Sequence, residues 1–190
     1  GNLYISILYR FGEQDGDIGK NVTWIPLWVG MRIRMALVTL GFQDKDVDVK
    51  WPNDLMFQSQ FKFGGVLCEK IQQNILIGVG MNITTAPQAE LAAEGRKVTT
   101  LTEMSSKHRL DADGVRNAIL KELKRKFDMK ALKNELTAHM IPKAGTEITW
   151  IEQARGSAES KGLVTGLGGF GELLVSNSNG EHQLFSEEVR

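Results

Sequence analysis

Charged, amide and glycine residues are grouped in three segments of this chain at spacings that could do chemistry. The first segment is Lys50-Trp51-Pro52-Asn53-Asp54. Pro52 fixes its own φ and favours an extended conformation for Trp51. We therefore expect Asn53 and Asp54 at a sharp strand exit, from which short polar side chains can reach a ligand. For this segment taken alone, an Asx turn that opens a hairpin is the competing interpretation.

The second segment is Lys62-Phe63-Gly64-Gly65-Val66. If residues 55–57 and 61–69 form a hairpin, Lys62 returns beside Asp54, and an ammonium and a carboxylate meet at one rim. Gly64 and Gly65 weaken a strand and mark a bulge or a close backbone approach. A surface lysine beside a bulge is the alternative.

The third segment runs from Ile77 to Asn82 and contains Gly78 and Gly80. Residues two apart face the same side of a strand, so these glycines predict a narrow slot against which a flat ligand could lie. A helix or an aromatic ring packed on the glycines is the alternative. The third glycine and the helix of a dinucleotide site are missing from this pattern.

The elements that must position these segments alternate between strands and helices. Alternation over residues 3–11 predicts a strand in a largely covered sheet. A helix is expected from the N-cap Thr23 to about Leu40, because Pro26 is tolerated in the first turn and Gly41 ends the helix. Further strands are predicted at 47–50, at the hairpin and at 75–81. Helices follow at about 89–93, after Asp111 or Asp113, and from 130 to about 140.

The character of the chain changes near Ile141-Pro142. Beyond it, short strands are predicted at 147–151, 163–166, 172–176 and 181–185, separated by turn signals such as Gly168-Gly169. We therefore predict two domains: residues 1–140 form an α+β unit with a mixed sheet and helices on one side, and residues 141–190 form a small β-barrel.

Composition limits the function classes. The formal net charge of the 190 residues is +0, so no basic excess favours a nucleic-acid partner. Cys68 is the single cysteine, and no Cys/His cluster predicts a protein-bound metal. The longest apolar stretch is interrupted by Pro26, Gly30, Arg32 and Arg34, which argues against a membrane span. We expect a cytoplasmic protein without a membrane partner.

The order of the three segments resembles that of the biotin–protein ligases, with their KWPND segment, K-x-x-G-I/V-L-x-E strand and G-x-G-x-N strand. Here these are residues 50–54, 62–69 and 78–82. The resemblance extends back to Asn2-Leu3-Tyr4-Ile5-Ser6 and forward to Gly162-Leu163-Val164 and to Glu172-Leu173-Leu174-Val175. It implies a class II synthetase-like core followed by an SH3-like barrel. The hairpin tip is one residue longer than is usual in the family, and nothing but Gly1 precedes the Asn2–Ser6 segment.

The resemblance also implies an activity. Such enzymes activate biotin with MgATP as biotinyl-AMP and transfer it to a lysine of a biotin carboxyl carrier domain, with Mg²⁺ carried on the phosphate oxygens. It implies that Lys62 contacts the biotin carboxylate and the α-phosphate, and that Asp54 orients Lys62 or the incoming amine. The remaining positions are implied to shape the site or contact substrate, with Asn82 on the adenine side: Lys50, Trp51, Asn53, Gly64, Gly65, Gly78, Gly80 and Asn82.

Two alternatives remain. A lipoate–protein ligase shares the fold and the adenylation logic, although the KWPND segment and the terminal barrel favour biotin. A second alternative is a truncated or inactive fragment that only binds nucleotide or a carrier protein, since the family's upstream biotin and adenylate segments have no counterpart here. Self-association or a homodimer is expected if the sheet edge is exposed.

Overall fold

The computed structural model describes residues 1–10, 23–72, 74–86, 97–105, 110–152, 158–186 and 189. Four α-helices lie in these ranges: α1 (Trp24–Thr39), α2 (Leu101–Met104), α3 (Ala112–Leu123) and α4 (Met129–His139). A short 3-10 turn covers Asp44–Asp46. The strands are β1 (Leu3–Arg10), β2 (Val47–Lys50), β3 (Asp54–Phe57), β4 (Phe61–Ile71), β5 (Asn74–Met81), β6 (Met140–Ile141), β7 (Glu147–Glu152), β8 (Ala158–Leu167), β9 (Leu173–Asn177) and β10 (Gly180–Leu184).

The first sheet has six strands in the order β1-β5-β4-β3-β2-β6. Neighbouring strands run antiparallel, except that β6 lies parallel to β2. The predicted hairpin is therefore β3–β4, and its tip is a tight turn in which Gln58 and Ser59 have φ of 49° and 57°. The sheet is mixed, as predicted.

Helix α1 is the centre of the first unit. Its residues are buried on nearly all sides, which is the pattern of a helix enclosed by other elements rather than of a surface helix. It contacts β2 and β4 on one side and α3 and α4 on the other. Gly30 permits the close approach to the sheet, since a Cβ added there would lie 3.0 Å from a methyl group of Val49. The helices therefore cover one face of the sheet, as predicted.

The ends of these helices follow their capping residues. Asp111 accepts a hydrogen bond from the Gly114 amide, and Asp128 accepts one from the Ala131 amide. Asp111, rather than Asp113, is therefore the cap of α3. Thr23 occupies the predicted N-cap position of α1, but its hydroxyl makes no capping bond and instead donates to the carbonyl of Phe170.

The second sheet is antiparallel, with four strands in the order β10-β9-β8-β7, and an isolated bridge joins Trp150 to Val189. The chain leaves the first sheet at Ile141 and enters the second at Glu147. The domain boundary at residue 140 stays a prediction. The fold class is confirmed as a mixed sheet with helices, followed by a small antiparallel β unit.

Several details differ from the sequence predictions. The short strand β6 and helix α2 were not predicted, and the helix expected at 89–93 lies outside the described residues. The second face of β1 was expected to be largely covered, yet Tyr4 is 79% exposed and Leu8 is 64% exposed. No helix in the described ranges has the length and apolar character needed to cross a membrane.

Candidate functional site

The β3–β4 hairpin brings Lys62 and Asp54 together. A β-bulge between Leu55 and Met56 shifts the register, so that Asp54 lies opposite Gly65 while Lys62 lies opposite Met56. The Lys62 ammonium is 2.5 Å from a carboxylate oxygen of Asp54, and the two side chains are 30% and 25% exposed. The predicted ammonium–carboxylate pair therefore exists, and solvent can still reach both of its members.

The strand register extends this pair into a row across the open face of the sheet. Lys50 pairs with Asp54, Asp54 with Gly65, Gly65 with Gly80, and Gly80 with Tyr4. Because paired residues project to the same side of a sheet, Lys50, Asp54, two glycines and the Tyr4 ring lie in line on this face, and Lys62 meets the row at Asp54. The helices cover the opposite face.

Glycines form the floor of this row. A Cβ added at Gly65 would lie 3.3 Å from the Asp54 carboxylate and 3.9 Å from Cε of Lys62. A Cβ added at Gly80 would lie 3.7 Å from the Tyr4 ring, so this ring lies across the glycine. Gly78 is two residues from Gly80, on the same face, and pairs with Leu67 and Ser6. The result is a shallow floor with the ion pair at one end and Tyr4 at the other.

Gly64 does not belong to this floor. A Cβ added there would meet the Gly80 carbonyl oxygen at 2.7 Å, Met81 Cγ at 3.1 Å and Leu55 Cδ1 at 3.2 Å. All three atoms belong to neighbouring strands, and Gly64 is itself buried. Gly64 was predicted to make room for ligand. Its surroundings instead give it a packing role between strands.

Trp51 also departs from its predicted position. It is 2% exposed, and its indole N–H donates to the carbonyl of Gly171 at 3.0 Å. It is thus a buried contact with the second unit and does not shape the rim. Asn53 is partly exposed, and its carbonyl accepts a hydrogen bond from the Val66 amide at 2.9 Å, which joins the KWPND segment to β4.

Asn82 holds a neighbouring segment against the hairpin. Its side-chain amide donates to the Thr99 carbonyl at 3.2 Å, and its backbone carbonyl accepts from the Leu101 amide. The same segment lies beside Lys62, whose amide donates to the Lys97 carbonyl and whose carbonyl accepts from the Thr99 amide. The backbone of Lys62 is therefore fixed on both sides.

A capping box anchors that segment at the start of α2. The Glu103 amide donates to the Thr100 hydroxyl, and the Glu103 carboxylate accepts from the Thr100 amide and from the Thr99 hydroxyl. These bonds, that from Thr99 first, lower the pKa of Glu103. Sequence reasoning missed this motif, although the Thr-x-x-Glu spacing of Thr100 and Glu103 is its usual signature.

Sequence reasoning also missed the residues that border the glycine floor. Tyr4, Ser6 and Leu67 lie on the open face by register, and Leu67 is 62% exposed. The signal was present, because every second residue of β1 and β4 projects to the face of the glycines.

A reactive thiol or a cluster of metal-binding side chains would add further chemistry to the described residues. Burial raises the pKa of the Cys68 thiol to about 12, which keeps it protonated and unreactive near neutrality. Within the described ranges, no group of three or more His, Cys, Asp or Glu side chains is placed to hold a metal ion. What the site offers is a positive group on a glycine floor, an arrangement suited to binding and neutralising an anion.

The sequence of the chain is similar to those of known ligases. A profile of the Biotin/lipoate A/B protein ligase family matches residues 1–82. The human biotin–protein ligase is 27% identical over 197 residues, which covers 94% of this chain and 25% of that protein. The biotin–[acetyl-CoA-carboxylase] ligase of Mycobacterium tuberculosis is 32% identical over 66 residues, 34% of this chain and 24% of that protein. The chain thus spans about a quarter of these curated relatives.

Solved structures of one enzyme match over the whole chain. The crystal structure of an Aquifex aeolicus biotin protein ligase has a TM-score of 0.77 and 26% identity, and the match covers 100% of this chain and 82% of that one. The same enzyme in complex with biotin and ATP has a TM-score of 0.76, with coverage of 100% and 78%. Both sheets of the present chain lie within these matches.

Proposed function

We propose that the chain is a biotin–protein ligase, which activates biotin with ATP and transfers it to a lysine of a carrier domain. The observation that carries the proposal is the Lys62–Asp54 pair, 2.5 Å apart, at the end of a floor made by Gly65, Gly78 and Gly80. This places one partly exposed cation where an anionic ligand can lie flat against the backbone.

The first step joins two anions. A biotin carboxylate oxygen attacks the α-phosphorus of ATP, an O–P bond forms, and the bond to the bridging oxygen of the β-phosphate breaks to release pyrophosphate. Both reactants are negatively charged, so their approach requires a positive charge held in place beforehand. We assign this role to the Lys62 ammonium, because its backbone is fixed by Lys97 and Thr99 while its side chain reaches the open face.

Asp54 is assigned to orienting Lys62. A carboxylate at this distance holds the ammonium in one position, and its partial exposure allows a ligand carboxylate or phosphate to share that ammonium. In the second step, the neutral acceptor lysine amine attacks the acyl carbon, a C–N bond forms, the acyl C–O bond to AMP breaks so that AMP leaves, and the amine loses one proton to solvent. Asp54 is the carboxylate in the described site nearest to Lys62, and it is suited to attract the incoming amine.

The remaining residues are assigned by their place on the open face. Lys50 shares the row of Asp54 and adds a second positive charge at that end. Tyr4 and Leu67 supply apolar surface beside Gly78 and Gly80, which suits the ring and chain of biotin. Asn82 keeps its proposed place on the adenine side through the segment that it binds at Thr99. Mg²⁺ is proposed to enter as MgATP, on the phosphate oxygens.

The test is biotin-dependent pyrophosphate release from MgATP by this 190-residue chain, with lipoate and no acid as controls. We expect release with biotin and only background release with lipoate. Release with lipoate in place of biotin would assign the chain to the lipoate branch of the matched family. Background release with both acids would contradict the proposed activity of this chain.

The transfer step has its own assay. Labelled biotin, MgATP and a biotin carboxyl carrier domain are incubated with the chain, and label on the carrier is counted after denaturation. The control is the same carrier with arginine in place of the acceptor lysine, which preserves charge but removes the nucleophilic amine. Equal labelling of both carriers would refute lysine-specific transfer.

A further inference from the structure

A turn of the second unit accepts three hydrogen bonds from the first unit, one of which is that from the Thr23 hydroxyl to the Phe170 carbonyl. This turn, residues 168–171 between β8 and β9, is called the glycine turn below. Its Gly169 carbonyl accepts from the indole of Trp24 at 2.9 Å, and its Gly171 carbonyl accepts from the indole of Trp51 at 3.0 Å. Both tryptophans are at most 2% exposed. Because these donors are buried, loss of either acceptor would leave a polar group without compensation.

The conformation of the glycine turn is specified by its residues. Gly171 has φ of +85°, which L side chains rarely adopt, and a Cβ added there would lie 3.1 Å from the Trp24 ring. Inside the turn, the buried carboxylate of Glu172 accepts from the Phe170 amide at 2.7 Å, and the Glu172 carbonyl accepts from the Gly168 amide at 2.9 Å. Hydrogen bonds within the turn therefore help to hold the acceptors for the two tryptophans in place.

Trp51 connects this turn to the site. Its amide donates to the Ile141 carbonyl at 2.8 Å, so both its backbone and its indole are anchored. Only Pro52 and Asn53 separate it from Asp54. Since Asp54 fixes the Lys62 ammonium, a displacement of Trp51 is transmitted through a short, proline-restricted segment to the charge of the site.

We propose that Trp51 is a positioning residue, through which the glycine turn of the second unit sets the place of Asp54 and thereby of Lys62. The inference rests on the proposed function for its kinetic part. It assigns to the second unit a defined contribution to the first step, made at a distance from the substrate. Trp51 is buried and does not touch the open face, so its substitution is expected to change turnover rather than substrate binding.

The first experiment compares Trp51→Phe with Trp150→Phe. Both side chains are buried tryptophans and lose the same volume, but the Trp150 indole N–H has no hydrogen-bond partner in the part of the chain that the structure describes. We expect Trp51→Phe to lower kcat for pyrophosphate release about tenfold with an unchanged KM for biotin, as a small misplacement of a catalytic charge does. Trp150→Phe should retain the kcat of the wild type. Equal kcat values for the two variants would overturn the inference.

A glycine pair provides a second test if Trp51→Phe folds poorly. Gly171 and Gly145 have the same φ of +85°, but a Cβ at Gly145 meets nothing within 4 Å. An alanine at either position has the same backbone strain at positive φ, but only the Cβ added at Gly171 contacts the Trp24 ring. We expect Gly171→Ala to lower kcat about tenfold relative to Gly145→Ala, again without a change in KM. A lower kcat in both variants to the same extent would contradict the inference.

A spectroscopic measurement that does not depend on catalytic activity tests this inference separately from the proposed function. Backbone and indole ¹H–¹⁵N spectra of Trp51→Phe and Trp150→Phe are compared with those of the wild type. We expect Trp51→Phe to shift the amide signals of Asp54, Lys62 and Gly65, and Trp150→Phe to leave them in place. Shifts confined to the glycine turn would overturn the inference. If the wild type releases no pyrophosphate, the proposed function fails and these spectra alone decide the positioning role.

Discussion

Gly64 and Gly65 are neighbours in the chain, yet they serve opposite faces of the same sheet. Gly64 lies where a Cβ would strike the Gly80 carbonyl, and its lack of a side chain lets adjacent strands pack. Gly65 lies beside the Asp54 carboxylate on the open face, and its lack of a side chain leaves space above the backbone. One residue type in one motif can thus serve packing at one position and ligand access at the next.

The comparison extends to the two faces as a whole. The covered face carries α1 and a hydrophobic cluster that reaches into the second unit. The open face carries the ion pair, the glycine floor and exposed apolar side chains such as Tyr4 and Leu67. Substitutions on the open face should therefore change activity with little effect on stability, and substitutions on the covered face should do the reverse.

The largest effect is expected from Lys62→Ala. We expect the rate of biotin-dependent pyrophosphate release to fall about 100-fold, because one preorganised charge is lost from the step that joins two anions. The free energy of unfolding should change by less than about 1 kcal/mol, since a solvent-accessible ion pair contributes little to stability. The control is Lys70→Ala, an exposed lysine on the same strand. A near-normal rate for Lys62→Ala would refute its assignment.

Gly64→Ala should destabilise the folded state by disturbing the packing of the covered face. The added methyl group must displace the Gly80 carbonyl, the Met81 side chain or both, and overpacking of this kind costs about 1–3 kcal/mol. The measurement is the midpoint and slope of urea unfolding. Gly78→Ala is the matched control for stability, because its Cβ would make only ordinary contacts at 3.7 Å. Equal stability of these two variants would show that the close approach at Gly64 is not required.

Gly65→Ala, unlike Gly64→Ala, should lower activity without lowering stability. The methyl group would lie 3.3 Å from the Asp54 carboxylate, so the ion pair must shift by a few tenths of an ångström. We expect about a tenfold loss of pyrophosphate release, while urea unfolding stays within about 1 kcal/mol of the wild type. Loss of stability equal to that of Gly64→Ala, with a normal rate per folded molecule, would contradict the division between the faces.

The smallest effect concerns proton binding by His139, at the end of α4 on the covered side. Burial, followed by the nearby Arg34 guanidinium, lowers the pKa of His139 below its ordinary value of 6.5. The unfolded chain therefore binds a proton more readily than the folded chain, and stability is lost as the pH falls below about 6.5. We expect His139→Gln to lose less stability than the wild type between pH 7 and pH 5.5. Identical pH profiles in thermal unfolding would exclude this coupling.

Sequence reasoning predicted most of the first sheet because its signals are local. Alternation in β1, the apolar run of β5, the hairpin tip at Gln58-Ser59-Gln60 and the cap of α3 are specified by residues close in the chain. Strand β6 was missed because a strand of two residues is too short to show hydrophobic alternation. Its parallel pairing with β2 also depends on where the preceding helix ends. Helix α2 was missed because it has four residues, although its capping box was visible.

Local sequence likewise predicted one part of the candidate site and not the other. The meeting of Lys62 and Asp54 followed from the hairpin, and the shared side of Gly78 and Gly80 followed from strand alternation. The burial of Trp51 did not follow, since its acceptor at Gly171 is 120 residues away. The inward position of Gly64 depends on the bulge at Leu55, which changes which of two adjacent glycines faces the ligand side.

Local patterns in the sequence specify β1, the β3–β4 hairpin, the cap of α3 and the residue types of a charged, glycine-lined site, because periodicity and turn chemistry act over a few residues. The face that each glycine serves, the anchoring of Trp51 by the glycine turn, and the hold of Lys97 and Thr99 on the backbone of Lys62 depend on the folded arrangement of the chain. These are contacts between distant segments. They depend on register, and a shift of one residue reverses every side chain of a strand.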